Sequence, residues 1–210
     1  GDVIAEGERS VSVSDSTIGG YIRGLYMTTN NGNASAQGGS VSVSNSEVGL
    51  HIQGLFLTAS NGNASAQRGS VSVSETTVRG DITGFSLSAT GGDAIAQGGS
   101  VSVLNNSTVG GIITGASTAV VGTTSADSRA SGNTLTIESS KVGSYVYGGL
   151  AMNGTGGIAE ASGNTLNLKN VNASSLIMPS FAQNNGSGEA VAEGNTVTLQ
   201  GGTYGDSIFV

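Results

Sequence analysis

Ser10-Val11-Ser12-Val13 returns as Ser40-Val41-Ser42-Val43, as Ser70-Val71-Ser72-Val73 and as Ser100-Val101-Ser102-Val103. The same place is then held by Thr134-Leu135-Thr136-Ile137, Thr165-Leu166-Asn167-Leu168 and Thr196-Val197-Thr198-Leu199. Counted between the first apolar residues of successive units, the steps are 30, 30, 30, 34, 31 and 31 residues. Units this short cannot enclose a core alone. A period of this length sustained along a chain means that each unit buries its apolar face against the next, as in a solenoid.

The unit itself is built from strands. Apolar and hydroxyl residues alternate strictly in the Ser-Val-Ser-Val segment, the two-residue period of a strand with valines inside and serines outside. Five residues past the second apolar position comes another, in the series Ile18, Val48, Val78, Val142, Ala173 and Tyr204, with Val109 delayed by one inserted residue. An odd interval cannot keep the same face of a flat strand inward, so the chain bends at Asp15-Ser16, Asn45-Ser46 and Glu75-Thr76.

The residue after this position is glycine at Gly19, Gly49, Gly110, Gly143 and Gly205, with Arg79 and Ser174 as exceptions. That column predicts a corner needing positive φ or a close approach to the neighbouring coil. A second apolar ladder runs through Ile22, Ile52, Ile82, Ile113, Val146, Ile177 and Ile208. Two residues on lie Gly24, Gly54, Gly84, Gly115 and Gly148, giving way to Pro179 and Val210. After turn-forming stretches such as Asn61-Gly62-Asn63, paired alanines recur at Ala34 and Ala36, Ala64 and Ala66, Ala94 and Ala96, Ala159 and Ala161, and Ala190 and Ala192. Small inward residues at one phase predict a narrow part of the cross-section.

Each unit therefore reads as three or four short strands joined by tight bends, with no helical stripe. At about 3.3 Å per residue, a 30-residue turn has a perimeter of roughly 100 Å, and seven turns about 4.8 Å apart make a rod of roughly 34 Å. The expected fold is an all-β, right-handed parallel β-helix of about seven coils of 30–34 residues, with residues 1–210 forming one segment of a longer rod.

Composition narrows the function classes. The chain has 210 residues, 36 glycines, no cysteine, no tryptophan, 10% charged residues and a formal charge of −7. Its seven cations, Arg9, Arg23, Arg68, Arg79, Arg129, Lys141 and Lys169, are scattered, so no nucleic-acid partner is expected. No apolar run reaches the roughly 20 residues of a spanning helix, and no signal-peptide pattern opens the chain. If the protein is exported, this is a mature piece. Absence of cysteine suits passage through an oxidising compartment but is equally compatible with the cytosol.

The stretch Ala130-Ser131-Gly132-Asn133-Thr134-Leu135-Thr136-Ile137, running on to Val142-Gly143-Ser144-Tyr145-Val146-Tyr147-Gly148-Gly149, resembles the GNTVTI and GGTVGGDVYGG repeats of bacterial autotransporter passenger domains. Ala192 to Gly205 is similar to the same pattern. The resemblance implies a type V secreted passenger on a Gram-negative cell surface, acting as an adhesin or self-association factor, with membrane contact only through a barrel domain outside these residues. The partners it implies are a host or matrix protein or glycan, or a passenger on a sister cell. It carries over no catalytic residue.

Few residue constellations offer chemistry. The outward ladder through Ser12, Ser42, Ser72, Ser102, Thr136 and Thr198 could match an ice lattice, though serine and threonine also simply solvate a parallel sheet. Carboxylates at Asp15, Glu47, Glu75, Asp81, Asp93, Asp127, Glu138, Glu160, Glu189 and Glu193 are the raw material of a polysaccharide-cleaving groove. They form no triple cluster at one phase, although Glu160 is expected near Glu193, and Glu138 loosely near Glu75. His51 is the only histidine, so neither a metal site nor a catalytic triad is expected. Gly91-Gly92-Asp93 resembles one turn of the calcium-binding repeat-in-toxin motif, but the spacing of that motif is not repeated. The expectation is a non-enzymatic protein with no cofactor and no metal. Tyr21, Tyr26, Phe56, Tyr145, Tyr147, Leu176 and Phe209 fall at outward or near-outward phases of the second strand region, either as a binding platform or as a lateral seam filled by a loop or a neighbouring copy.

Overall fold

A computed structural model describes residues 1–7, 9–122 and 125–209; Val210, expected to end a glycine column, lies outside them. The described chain is all-β, and every strand pair is parallel. Three sheets run the length of the rod. Sheet A contains seven strands, from Val3–Ala5 through Ala94–Gln97 to Ala190–Glu193. Sheet B begins with Ser10–Ser14 and ends with Thr196–Tyr204, and includes the short post-bend strands such as Glu47–Val48 and Thr77–Val78. Sheet C has six strands, from Ile22–Thr29 to Ile177–Asn184. A last coil closes partially onto it through the bridge between Ile177 and Ile208. Six turns are complete in all three sheets.

The register matches the sequence period. Val41, Val71, Val101 and Leu135 are successive Cα partners, as are Ile52, Ile82 and Ile113. These columns are buried and build one core cluster along sheet B and the start of sheet C. A second cluster fills the space between sheets A and C, where Ala64, Ala66, Ala94 and Ala96 oppose Leu55, Leu57, Phe85 and Leu87. The alanine column is small because large side chains reach toward it from sheet C. In the last coil, Ala190 and Ala192 are exposed, since no further coil covers them.

Two expectations about the corners are refined. The bend residues Asp15, Asn45 and Glu75 have φ of 51°, 46° and 51°, so in these coils one left-handed residue makes the bend, whereas Asn105 and Asn106 share it in the fourth at 55° and 60°. Gly49 and Gly110, by contrast, are not left-handed. A Cβ on either would sit 2.6 Å from the carbonyl oxygen of Gly19 or Arg79 in the preceding coil. Close approach explains that column. Gly54 is likewise excluded from carrying a side chain, with Gly84 O at 2.6 Å and Val71 Cγ2 at 2.9 Å from its missing Cβ.

A further corner, between sheets A and B, lies beyond what the sequence pattern predicts. Gly98, Gly132, Gly163 and Gly194 have φ of 60–66° there, and Arg68 adopts φ 59° at the same place. The next residue decides how the core is filled. In the early coils it is Gly39, Gly69 or Gly99, and Leu55 or Phe85 occupies the space: a Cβ on Gly69 would lie 2.5 Å from Phe85 Cε1, and one on Gly99 would overlap the same ring. In the later coils it is Asn133, Asn164 or Asn195, facing Ala116, Gly149 and Ser180. The buried Asn164 Nδ2 donates to Ala130 O and Ser180 Oγ, both at 2.9 Å, and its Oδ1 accepts Asn133 N–H at 3.0 Å and Asn133 Nδ2 at 2.9 Å. An aromatic plug and an asparagine ladder are thus alternative fillings of one site.

Candidate functional site

Turns have no sheet partners for all their amides, and buried or half-buried N–H groups must be satisfied somewhere. Beside the asparagine ladder, three further side-chain ladders do this. At the turn before sheet A, Asp2, Asn33, Asn63, Asp93 and Asp127 each accept, through Oδ1, the amide of the equivalent residue one coil on, at 2.8–2.9 Å. At the bend in sheet B, Ser46 and Thr76 donate to the carbonyls of Ser44 and Ser74 at 2.6 and 2.7 Å, while accepting the amides of Ser16 and Ser46 at 3.1 and 3.3 Å. At the entry to sheet C, His51 Nδ1 accepts Asp81 N–H at 2.9 Å and Asp81 Oδ1 accepts Ile112 N–H at 2.7 Å.

These ladders decide several candidates. His51 stacks on Tyr21 with centroids 5.7 Å apart. Because its Nδ1 takes an amide hydrogen, the Asp81 carboxylate 3.3 Å away is a neighbour and not an ion-pair partner. Asp93, in the turn similar to a calcium repeat, spends Oδ1 on the amide of Asp127. No group of three or more acidic or histidine side chains is placed to hold a metal among the described residues.

The carboxylates are spread over the rod. Glu160 is paired in register with Val191, and Glu193 with Ser162, so the expected approach of Glu160 to Glu193 is replaced by an ion pair with Arg129. Arg129 also holds Asp127 at 2.8 Å. Acceptance of Ile158 N–H, with help from Arg129, lowers the Asp127 carboxyl below its ordinary range, and Asp127 raises the guanidinium in turn. Glu138 pairs with Lys169 at 2.7 Å, in the adjacent coil, and not with Glu75. Glu47 pairs with Arg79.

Of the outward columns of sheet B, that of Ser10, Ser40, Ser70 and Ser100 keeps a hydroxyl through Thr134, Thr165 and Thr196, while the other two break. The column of Ser14, Ser44 and Ser74 continues as Leu104, Glu138, Lys169 and Gln200, and that of Ser42 and Ser72 takes Asn167 beyond Thr136.

Sheet C carries the most distinctive surface. Its outward columns place Tyr26 on Phe56, with centroids 5.1 Å apart and planes within 7°. Arg23 lies between this pair and Tyr21, its guanidinium carbon 4.9 Å from the Tyr21 ring, 5.3 Å from Tyr26 and 5.4 Å from Phe56. Tyr21 and Tyr26 are 54% and 55% exposed, so these rings are surface, not core. A second cluster occupies the same columns four coils along, where Tyr147 meets Tyr145 at 6.0 Å and Phe181 edge-on at 6.4 Å. Tyr145 is 41% exposed. Tyr147, Phe56 and Leu176 are half-buried. Burial raises the Tyr147 phenol above its ordinary value, keeping it a hydrogen-bond donor. Phe209 is exposed in the partial last coil, and its amide donates to Ile177 O. Between the clusters the face is lined by Thr83, Ser86, Ser88 and Ser117.

No protein-family model, curated protein or solved structure matches this chain.

Proposed function

We propose that this chain is a rigid, non-enzymatic binding rod, displayed on a bacterial surface as an autotransporter passenger segment, that engages its partner through the outward face of sheet C. The aromatic clusters on that face carry the reading. Exposed tyrosine and phenylalanine on a fixed sheet supply large apolar contacts with little ordering cost, the usual composition of a recognition surface. The partner is a host or matrix protein or glycan, or a passenger on a sister cell. The similarity of Ala130 to Gly149 to passenger repeats supports the cell-surface setting.

The test uses beads coated with the purified chain. Coated beads should adhere to epithelial or matrix-coated surfaces, or clump together, and the Tyr21→Ser, Tyr26→Ser, Phe56→Ser triple variant should lose this while melting normally. Adhesion undiminished in the variant, or absent from the parent, contradicts the proposal. Ice binding is the second reading, favoured by the uniform serine columns of the first three coils. It requires measurable thermal hysteresis that falls in a Ser42→Lys, Ser72→Lys variant.

A further inference from the structure

We infer that the sheet C face takes a carboxylated polysaccharide laid along the rod axis, with Arg23 reading a sugar carboxylate and the aromatic clusters packing against the sugar rings. This rests on sheet C being the binding face and adds the chemistry of the ligand.

The argument begins with Arg23. Of the seven cations, Arg79, Arg129 and Lys169 are each paired with an acid, whereas Arg23, like Arg68 and Lys141, makes no ion pair among the described residues. Its side chain is nevertheless held in place. Nε donates to Gln53 Oε1 at 2.7 Å, and three rings surround the guanidinium. The fork of donors on its two terminal nitrogens is exposed and has no partner among the described residues. A fixed guanidinium with free terminal N–H groups suits a planar carboxylate, which it can bind with two parallel hydrogen bonds. A single cation in a chain of net charge −7 favours a singly charged group over a phosphate or a densely sulfated chain.

Direction and length come from the register. The column of Arg23 continues through Gln53, Thr83 and Thr114 to Tyr147, and that of Tyr26 and Phe56 through Ser86, Ser117 and Leu150 to Phe181. Four coils at about 4.8 Å each separate Arg23 from Tyr147 by roughly 19 Å. Thr114 is buried, but Thr83, Ser86 and Ser117 leave hydroxyls accessible on the intervening strip, which suit hydrogen bonding to sugar hydroxyls better than to an apolar protein surface. The one acid on the strip's edge, Asp81, spends one oxygen on Ile112 N–H.

The experiment is a titration with oligogalacturonates of increasing length, beside their fully methyl-esterified, uncharged counterparts and poly-glutamate. The expected result is binding of the acid form at least about tenfold tighter than the ester, the scale of one charge-assisted hydrogen-bond pair. Affinity should climb until the oligomer spans both clusters. Arg23→Gln should bind acid and ester alike, and Tyr147→Ser should remove only the gain with length. The inference is overturned by equal binding of acid and ester, by an Arg23→Gln variant that keeps the preference, by poly-glutamate binding as tightly, or by no binding. If oligogalacturonates fail while the aromatic triple variant still abolishes bead adhesion, the acidic-sugar inference falls and the sheet C surface stands.

Discussion

Phe85 and Gly99 are a pair whose exchange the protein has already made one coil further on. Phe85 is fully buried, and a Cβ on Gly99 would collide with its ring. In the next coil the register partners of these residues are Ala116 and Asn133. Phe85→Ala alone removes a packed aromatic ring and should cost about 3–5 kcal/mol. Gly99→Asn alone forces a side chain into the ring and should cost about 1–3 kcal/mol by overpacking. Together they rebuild the arrangement seen at Asn133, whose Oδ1 accepts Gly99 N–H at 3.0 Å and whose Nδ2 continues the ladder. In the double variant the introduced carboxamide would accept the Gly69 amide and donate to Asn133, so this protein should be more stable than the sum of the two losses by about 1–3 kcal/mol. Urea unfolding of the parent, both single variants and the double variant closes the cycle. For a chain of this size, 1 kcal/mol corresponds to a melting shift of about 2–4 °C. Losses that simply add would refute the claim that plug and ladder occupy one site.

Other perturbations follow from the same structure. Ile82→Asp, in a middle coil with partners on both sides, should lower the melting temperature far more than Ile208→Asp, which has one bridge to Ile177; equal shifts would contradict shared columns. Arg68→Gly relieves a left-handed φ of 59° and should raise stability by about 0.5–1 kcal/mol in urea, the left-handed penalty less the added freedom of the unfolded glycine. Asp127 has a lowered folded pKa, so its contribution is present above the unfolded value and disappears as pH falls through the folded one. In Asp127→Asn the amide oxygen keeps the Ile158 bond while the charge toward Arg129 is lost, so unfolding followed by circular dichroism should be less steep in acid and weaker at pH 7 by under about 1 kcal/mol.

Most of the fold was legible because burial in a solenoid imposes its own period. Val41, Val71 and Val101 must coincide in register, and a 30-residue spacing of identical segments announces that directly. The bends at Asp15, Asn45 and Glu75 were legible from the odd interval between apolar residues. The left-handed corner at Gly98, Gly132 and Gly163 was not, although glycine recurs there, because Arg68 and the following Gly or Asn blur the column. The exchange of Phe85 for Asn133 was hidden for a different reason: its partners lie on different strands of one coil, and neither column shows it alone. Of the candidate site, the phases of Tyr21, Tyr26, Phe56 and Tyr147 were legible from their offsets to the isoleucine ladder. The position of Arg23 among the rings was not, since its side chain crosses between columns and depends on Gln53 one coil away. Carboxylate pairings misled because Glu160 and Glu193 occupy places two residues apart within equivalent strands.

Everything rests on adjacent coils lying in parallel register, and the absence of cysteine makes that directly measurable. Nitroxide labels on a Ser42→Cys, Ser72→Cys pair occupy register partners on strands about 4.8 Å apart. The electron spin resonance spectrum should show strong spin exchange, and a Ser42→Cys, Ser102→Cys pair, two coils apart, weaker dipolar broadening. Spectra for the first pair equal to the sum of two isolated labels would contradict the stacked rod and everything built on its faces.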